Sequence, residues 1–179
     1  MDRESTTSFN CKIIASDLGV PSQRAEKVIS ITVKDENDNA PVAVPAQYTF
    51  RITEEQTSAL SLGIINATDR DTGNNARLSY TLIGSADAKN KFRVAGSTGG
   101  VAAIGKLDRE RMASYSFIVR VSDNGQPSLK VDAPVTVTVD DINDNTPAFS
   151  KMAYSGRIAE NSAIGSNIVQ VSFPSTDFE

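Results

Sequence analysis

Apolar and polar positions alternate along most of this chain, in short runs. KVISITV (27–33), YTFRI (48–52), RLSYTLI (77–83), YSFIVRV (115–121) and PVTVTV (134–139) are rich in β-branched and aromatic residues. A period of two sends successive side chains to opposite faces, so each run predicts a half-buried strand. TVTV (136–139) puts valines on one face and threonines on the other. The turn signals DTGNN, GSTGG and DNGQP lie between runs, and helical periodicity is almost absent. Short strands divided by such turns predict an antiparallel sandwich. Its expected core or near-core includes Tyr48, Phe50, Ile52, Phe92, Leu107, Phe117, Val119 and Val121.

The pattern also repeats at an offset of 106 residues. Asp2-Arg3-Glu4 falls on Asp108-Arg109-Glu110, and SDLGVPS (16–22) on SDNGQPS (122–128). DENDNAP (35–41) falls on DINDNTP (141–147), and Tyr48, Ile52 and Glu54 fall on Tyr154, Ile158 and Glu160. A period of this size fits one sandwich of roughly 100 residues. The expected organisation is the C-terminal part of one repeat (1–34), a linker (35–41), a complete repeat (42–140), a second linker (141–147) and the N-terminal part of a further repeat (148–179). Cys11 aligns with Phe117 and is expected to be a buried apolar filler.

Composition narrows the chemistry. The chain has a net charge of -4 and 39% apolar residues. Nucleic acid selects basic stripes, so that class of partner is excluded. Histidine is absent and cysteine occurs once, which removes the usual general base and any zinc site built from His and Cys. The chain opens on Met1 and DREST rather than a signal peptide, and no apolar run reaches about 18 residues. An extracellular function would therefore make it a fragment of something longer.

Oxygen-rich clusters stand outside the strand pattern: DRE (2–4 and 108–110), DENDN, DINDN, DRDTGNN (69–75), Asp123 and Glu54. Strand ends of an elongated sandwich gather at two poles, where clusters of successive repeats would meet. Hard cations such as Ca²⁺ take six to eight oxygens from carboxylates, amides and carbonyls. In an extended strip, alternate residues project to opposite sides, so DENDN can serve ions on both. Carboxylates about 4 Å apart repel by roughly 1 kcal/mol in bulk water, and a divalent ion between them reverses the sign. DRDTGNNARLSY is no EF-hand loop: its Gly is fifth rather than sixth, and Tyr80 stands where a Glu is needed.

These residues closely resemble the cadherin repeat family. The markers are Leu107 before DRE, ATDRDTGNN with its D-x-D-x-G-x-N spacing, DNGQP after a strand, D-x-N-D-N-x-P, and YSGRIAEN (154–161). The resemblance covers essentially the whole chain. It implies an all-β fold of tandem Greek-key, immunoglobulin-like β-sandwiches joined by calcium-binding linkers. At the first joint it implies a three-ion cluster. Asp2, Glu4 and Asp38 would act there with the Glu36 carbonyl, and Asp35 would bind between ions. Asp71 would bridge to a third ion held by Asn37, Asp69, Asp123 and the carbonyls of Asn39 and Asn75. At the second joint it implies Glu54, Asp108, Glu110, Asp141, Asp144 and the Ile142 carbonyl, then Asn143 and the Asn145 carbonyl. The far side of that joint reads SFPSTDFE. Asp177 matches Asp71 without a gap, leaving Ser175 where an Asp is expected. Alternatively it matches Asp69 after an insertion, with Glu179 as second ligand. Glu54 is favoured over Glu55 because it alone keeps the six-residue spacing from Tyr48. Asp140 is not a ligand, since its counterpart is Lys34.

The function implied is calcium-dependent cell–cell adhesion, with extracellular repeats stiffened by Ca²⁺ and no catalysis. The partners would be other cadherin molecules, in trans or in cis. The location would be the outer side of the plasma membrane, anchored by a segment outside this chain. A long protocadherin, Fat or Dachsous type is the expected kind. The rivals are a non-cadherin adhesin sharing the mechanism and a carboxylate-based hydrolase, which would lack a supporting His or nucleophile elbow. NAT (66–68) is a glycosylation sequon.

Overall fold

Alternation becomes burial in strands β10 (Ser114–Ser122) and β11 (Lys130–Asp140), an antiparallel pair. Tyr115, Phe117, Val119 and Val121 of β10 face inward, as do Ala133, Val135, Val137 and Val139 of β11. The intervening residues stay exposed or half-buried. Each fully buried Val or Phe contributes about 1.5–3 kcal/mol by leaving water. The computed structural model describes residues 1–56 and 58–172.

Strand β4 (Tyr48–Thr53) lies parallel to β11, and β7 (Ser79–Ile83) antiparallel to β10, giving the sheet order β4-β11-β10-β7. Facing it is a second sheet, β5-β9-β8, from Leu60–Ile64, Gly100–Ala103 and Phe92–Val94. Short strands β3 (Val42–Ala43) and β6 (Ala67–Thr68) pair beside them. Phe92 anchors the layer between the sheets, its ring 5.2 Å from Tyr115 and 5.3 Å from Phe117. The alternation predicted this all-β sandwich, and the family resemblance its Greek-key form. The core residues expected from sequence are buried, apart from Phe50, which packs against the core from a half-buried position.

The helix was not foreseen. Ala86–Lys91 form a helical turn and a half, α1, capped by Ser85, whose hydroxyl accepts from the Ala88 N–H at 3.1 Å. Six residues are too few for helical periodicity to be legible.

The 106-residue offset is present in the backbone. Strands β1 (Ser8–Ser16) and β2 (Arg24–Thr32) form a hairpin, and Ser8 faces Thr32 as Ser114 faces Thr138. In both hairpin turns an Asp side chain accepts from a Gly N–H at 3.0 Å, Asp17 from Gly19 and Asp123 from Gly125. Glu55 and Asn161, also 106 apart, share a left-handed backbone. The Tyr48 hydroxyl lies within hydrogen-bond reach of the carbonyls of Val44 and Asn66, and the Tyr154 hydroxyl donates to the Ser172 carbonyl.

One expectation needs correction. Cys11 is exposed, not a buried filler. It faces Ile29 across the hairpin, and no described residue buries that face. Among described residues 148–172 there is no strand.

Candidate metal centre

The acidic residues sit where strands end. At one pole of the sandwich, Glu54 follows β4, Asp108 and Glu110 precede β10, and Asp141 follows β11. At the other, the β6–β7 loop brings Asp69, Asp71 and Asn75 beside the β10–β11 turn with Asp123. Gly73 takes a left-handed backbone (φ 61°) that lets this loop reverse.

The segment 35–39 lies against the second pole as an extended strip. Asp35, Asn37 and Asn39 are half-buried, while Lys34, Glu36, Asp38 and Ala40 are exposed. The odd positions face the sandwich. Asp35 Oδ2 accepts from the Thr72 N–H at 3.1 Å and from Asn75 Nδ2 at 3.0 Å. Asn37 Nδ2 donates to the Pro127 carbonyl at 2.6 Å and to Asp123 Oδ2 at 3.2 Å. Asn39 donates to both Asp71 oxygens, from Nδ2 at 2.6 Å and from its N–H at 3.2 Å. The even side carries Asp38, which converges with Glu4 and Asp71 so that one oxygen of each lies within 4.8 Å of the others. Asp2, Glu4, Ser5, Asp38, Asn39 and Arg70 line a cleft of about 200 Å³ there. Asp2 stays outside that convergent trio, its carboxylate taken by the Glu4 N–H and the Ser5 hydroxyl.

At the other pole Glu54, Asp108 and Glu110 converge in the same way. Glu54 is only 1% exposed and accepts from the Arg109 N–H at 2.7 Å and the Ile142 N–H at 2.9 Å. Glu55 instead pairs with Lys106 at 2.7 Å. Asp140 pairs with Arg51, consistent with its exclusion as a ligand. Asp141 is half-buried, but Ile142, Asn143 and Asp144 are exposed, and Asn145 Nδ2 bonds Asp144. Asp177 lies outside the described residues.

Two observations test whether a hard cation suits these residues. Among described residues, the buried charged side chains are Glu54, Asp71 and Asp123, all at the poles. The buried side-chain oxygens without a hydrogen bond are Asp35 Oδ1, Asn37 Oδ1, Asp69 Oδ2 and Asp141 Oδ1. An unsatisfied buried oxygen costs about 1–3 kcal/mol, more when charged. Carboxylate and amide oxygens without N or S donors are the set that suits Ca²⁺. The residues fit the ion.

Their charges are strained without one. Burial above all pushes the Asp69 carboxyl up, and the charges of Asp71 and Asp123 add to it. At Glu110 its own N–H pulls downward, but desolvation and the charges of Glu54, Asp141 and Asp144 outweigh it. Glu4 also ends above its ordinary value: its own N–H lowers it, while Asp2, burial and Asp38 raise it further. Asp35 goes the other way: burial raises it, but bonds from Thr72 and Asn75 and the Arg3 charge lower it more. A carboxyl raised on folding binds more protons in the native state, so stability falls as pH rises through its window, above 3.8 for Asp69 and 4.5 for the two Glu. A lowered one, such as Asp35, loses its contribution only below about 3.8. In chelator, the melting temperature is therefore expected to rise as pH falls from 7 towards 4.5, then drop below 4. A monotonic fall from pH 7 would contradict the crowding.

Sequence reasoning missed three participants. Arg3 and Arg109, inside DRE, approach Asp35 and Asp141. Gly125 abuts the Asn37 amide, and an added Cβ would stand 2.3 Å from its Cγ and Nδ2. The signal for the arginines was their recurrence at the 106 offset; for Gly125 nothing in the sequence shows the contact. Asn66 of the sequon is exposed, as is Thr68.

Strand order, the register repeat and the acid-lined poles define the class: tandem β-sandwich repeats with oxygen-rich joints. A family model described as cadherin domain matches residues 48–140, and the chain belongs to the cadherin family. It is 40% identical over 161 residues to pig protocadherin-11 X-linked, covering 90% of this chain and 14% of that protein. It is 34% identical over 171 residues to mouse cadherin EGF LAG seven-pass G-type receptor 3, covering 96% of this chain and 5% of that protein. Among solved structures, mouse cadherin-23 EC22-24 matches with a TM-score of 0.88 at 28% identity, over 100% of this chain and 57% of that one. The protocadherin gammaB7 EC3-6 cis-dimer matches with a TM-score of 0.87 at 28% identity, over 100% and 45%. The chain thus spans a small part of its curated relatives.

Proposed function

We propose that this chain is an extracellular stretch of a calcium-dependent cell–cell adhesion protein of the plasma membrane, with segments 35–41 and 141–147 as its calcium-bearing joints. The observation that carries the reading is the set of four buried oxygens that, among the described residues, have no hydrogen bond, all at the poles. When bound, Ca²⁺ would take up the open lone pairs of these oxygens and supply positive charge to the acidic trios beside them. The chain's own residues do the positioning. Asn75 and Thr72 fix Asp35, Pro127 fixes Asn37, and Asn39 fixes Asp71. Glu54 ties the loop before β10 to the segment after β11. With the like charges balanced, successive repeats hold one angle; unbalanced, they repel and the joints bend.

Stiff joints keep distant adhesive faces aligned, so the partners in this reading are other cadherin molecules, and no catalytic step is assigned. Family membership supports this, since the cadherin relatives carry the same repeats. Thermal unfolding tests it. Calcium at about 100 times its dissociation constant adds about 2.7 kcal/mol, or roughly 5–10 °C for a chain of this size. Asp71→Ala should remove a large part of that rise. An unchanged melting temperature in millimolar calcium would overturn the reading.

A further inference from the structure

The two DRE arginines share an unusual relation to the joints. Arg3 Nη1 stands 3.6 Å from Asp35 Oδ1, and Arg109 Nη1 stands 3.4 Å from Asp141 Oδ1. These are two of the four buried oxygens without a hydrogen bond. The other ion pairs of the described residues, such as Arg120–Asp132 and Lys106–Glu55, close to 2.5–2.8 Å and include no such oxygen. The pairs at the joints are also among the more buried, with arginine side chains 26% and 25% exposed. So the same arrangement occurs twice: a cation near enough to balance an aspartate, yet leaving the facing oxygen's lone pairs open.

The trios beside them are wholly acidic: Glu4, Asp38 and Asp71 at one joint, Glu54, Asp108 and Glu110 at the other. The linker's leading aspartate adds to each. A fixed guanidinium lowers that repulsion in the absence of a divalent ion, because opposite charges attract more strongly in a partly buried site than in water. For the same reason it opposes a divalent ion settling on the aspartate. Arginine suits the task because it stays charged throughout the physiological range.

We infer that Arg3 and Arg109 are resident counter-cations: they hold Asp35 and Asp141 in place in the ion-free joint and set calcium affinity below what the oxygens alone would give. This rests on the calcium reading above and names a regulator within the same sites. The arginines are positioning residues, not ligands.

The test compares the chain with R3Q/R109Q and R3K/R109K, by thermal unfolding in chelator and across a calcium chloride titration. In R3Q/R109Q the chelator melting temperature should drop by a few degrees. Its calcium midpoint should move to roughly three- to tenfold lower concentration at low salt, with the gap narrowing as sodium chloride rises. R3K/R109K keeps the charge and should stay near the parent in both readouts. An unchanged chelator melting temperature, or a calcium midpoint that is unchanged or higher in R3Q/R109Q, overturns the inference. If the parent itself ignores calcium, the calcium reading and the affinity-setting role fall together. A chelator loss in R3Q/R109Q that lysine restores would then still support the arginines as holders of the two aspartates.

Discussion

Glu54→Ala is expected to lower the unfolding free energy by about 3 kcal/mol even with calcium chelated, a loss larger than any ordinary surface change. The carboxylate is 1% exposed, and both its oxygens accept backbone N–H groups, from Arg109 and Ile142. Truncation leaves two donors without a partner, each costing about 1–3 kcal/mol, and a void where the side chain stood. Glu54→Gln keeps one acceptor oxygen but turns an amide NH₂ towards the second N–H, so an intermediate loss is expected. Glu55→Ala gives up only a partly exposed ion pair with Lys106 and should cost less than about 1 kcal/mol. Urea unfolding of the three variants in chelator measures all of this. Equal losses at Glu54 and Glu55 would show that Glu54 has no special role in holding the pole together.

Gly125→Ala should separate stability from ion binding. Its new Cβ would meet the Asn37 amide at 2.3 Å, a distance no pair of side chains keeps. Asn37 is the far end of a flexible side chain on an extended strip, so it can swing away with little cost to the fold. Leaving, it gives up its bonds to Pro127 and Asp123 and removes its unsatisfied Oδ1 from the joint. The freed amide regains water, so the net cost of the two bonds to the fold is small, while taking a positioned oxygen away from a metal joint typically lowers affinity about tenfold or more. The melting temperature in chelator should stay within about two degrees of the parent, while calcium affinity at the first joint drops about tenfold. A loss of stability with affinity unchanged would contradict the role given to Asn37.

Much of this was legible in the sequence because its physics is periodic. Period-two alternation marked β4, β7, β10 and β11, whose inward faces are buried except in β7, where they are half-buried. The 106-residue offset carried more, since it paired β1–β2 with β10–β11 down to the same register. Alternation inside DENDN also foretold that odd and even positions would face different ways. The second sheet was harder to see. β5, β8 and β9 are short, and β5 is broken by a shift of register between Ser61 and Gly63, so alternation fails there. Cys11 was misjudged because equivalence to Phe117 holds only where a facing sheet exists. Asn39 and Asn75 were expected to act through their carbonyls; that their side-chain amides also bond Asp71 and Asp35 is something no spacing announces. Contacts such as Gly125 against Asn37 depend on shape across the joint, which no spacing rule encodes.

Equilibrium dialysis of the chain against radioactive calcium measures directly whether the two acid-lined joints take up the ion. Saturable uptake of more than one Ca²⁺ per chain is expected, reduced by Asp71→Ala and by Glu110→Ala separately, and most in the double variant. No saturable uptake, or uptake unchanged in the double variant, would contradict the assignment of these joints as calcium sites.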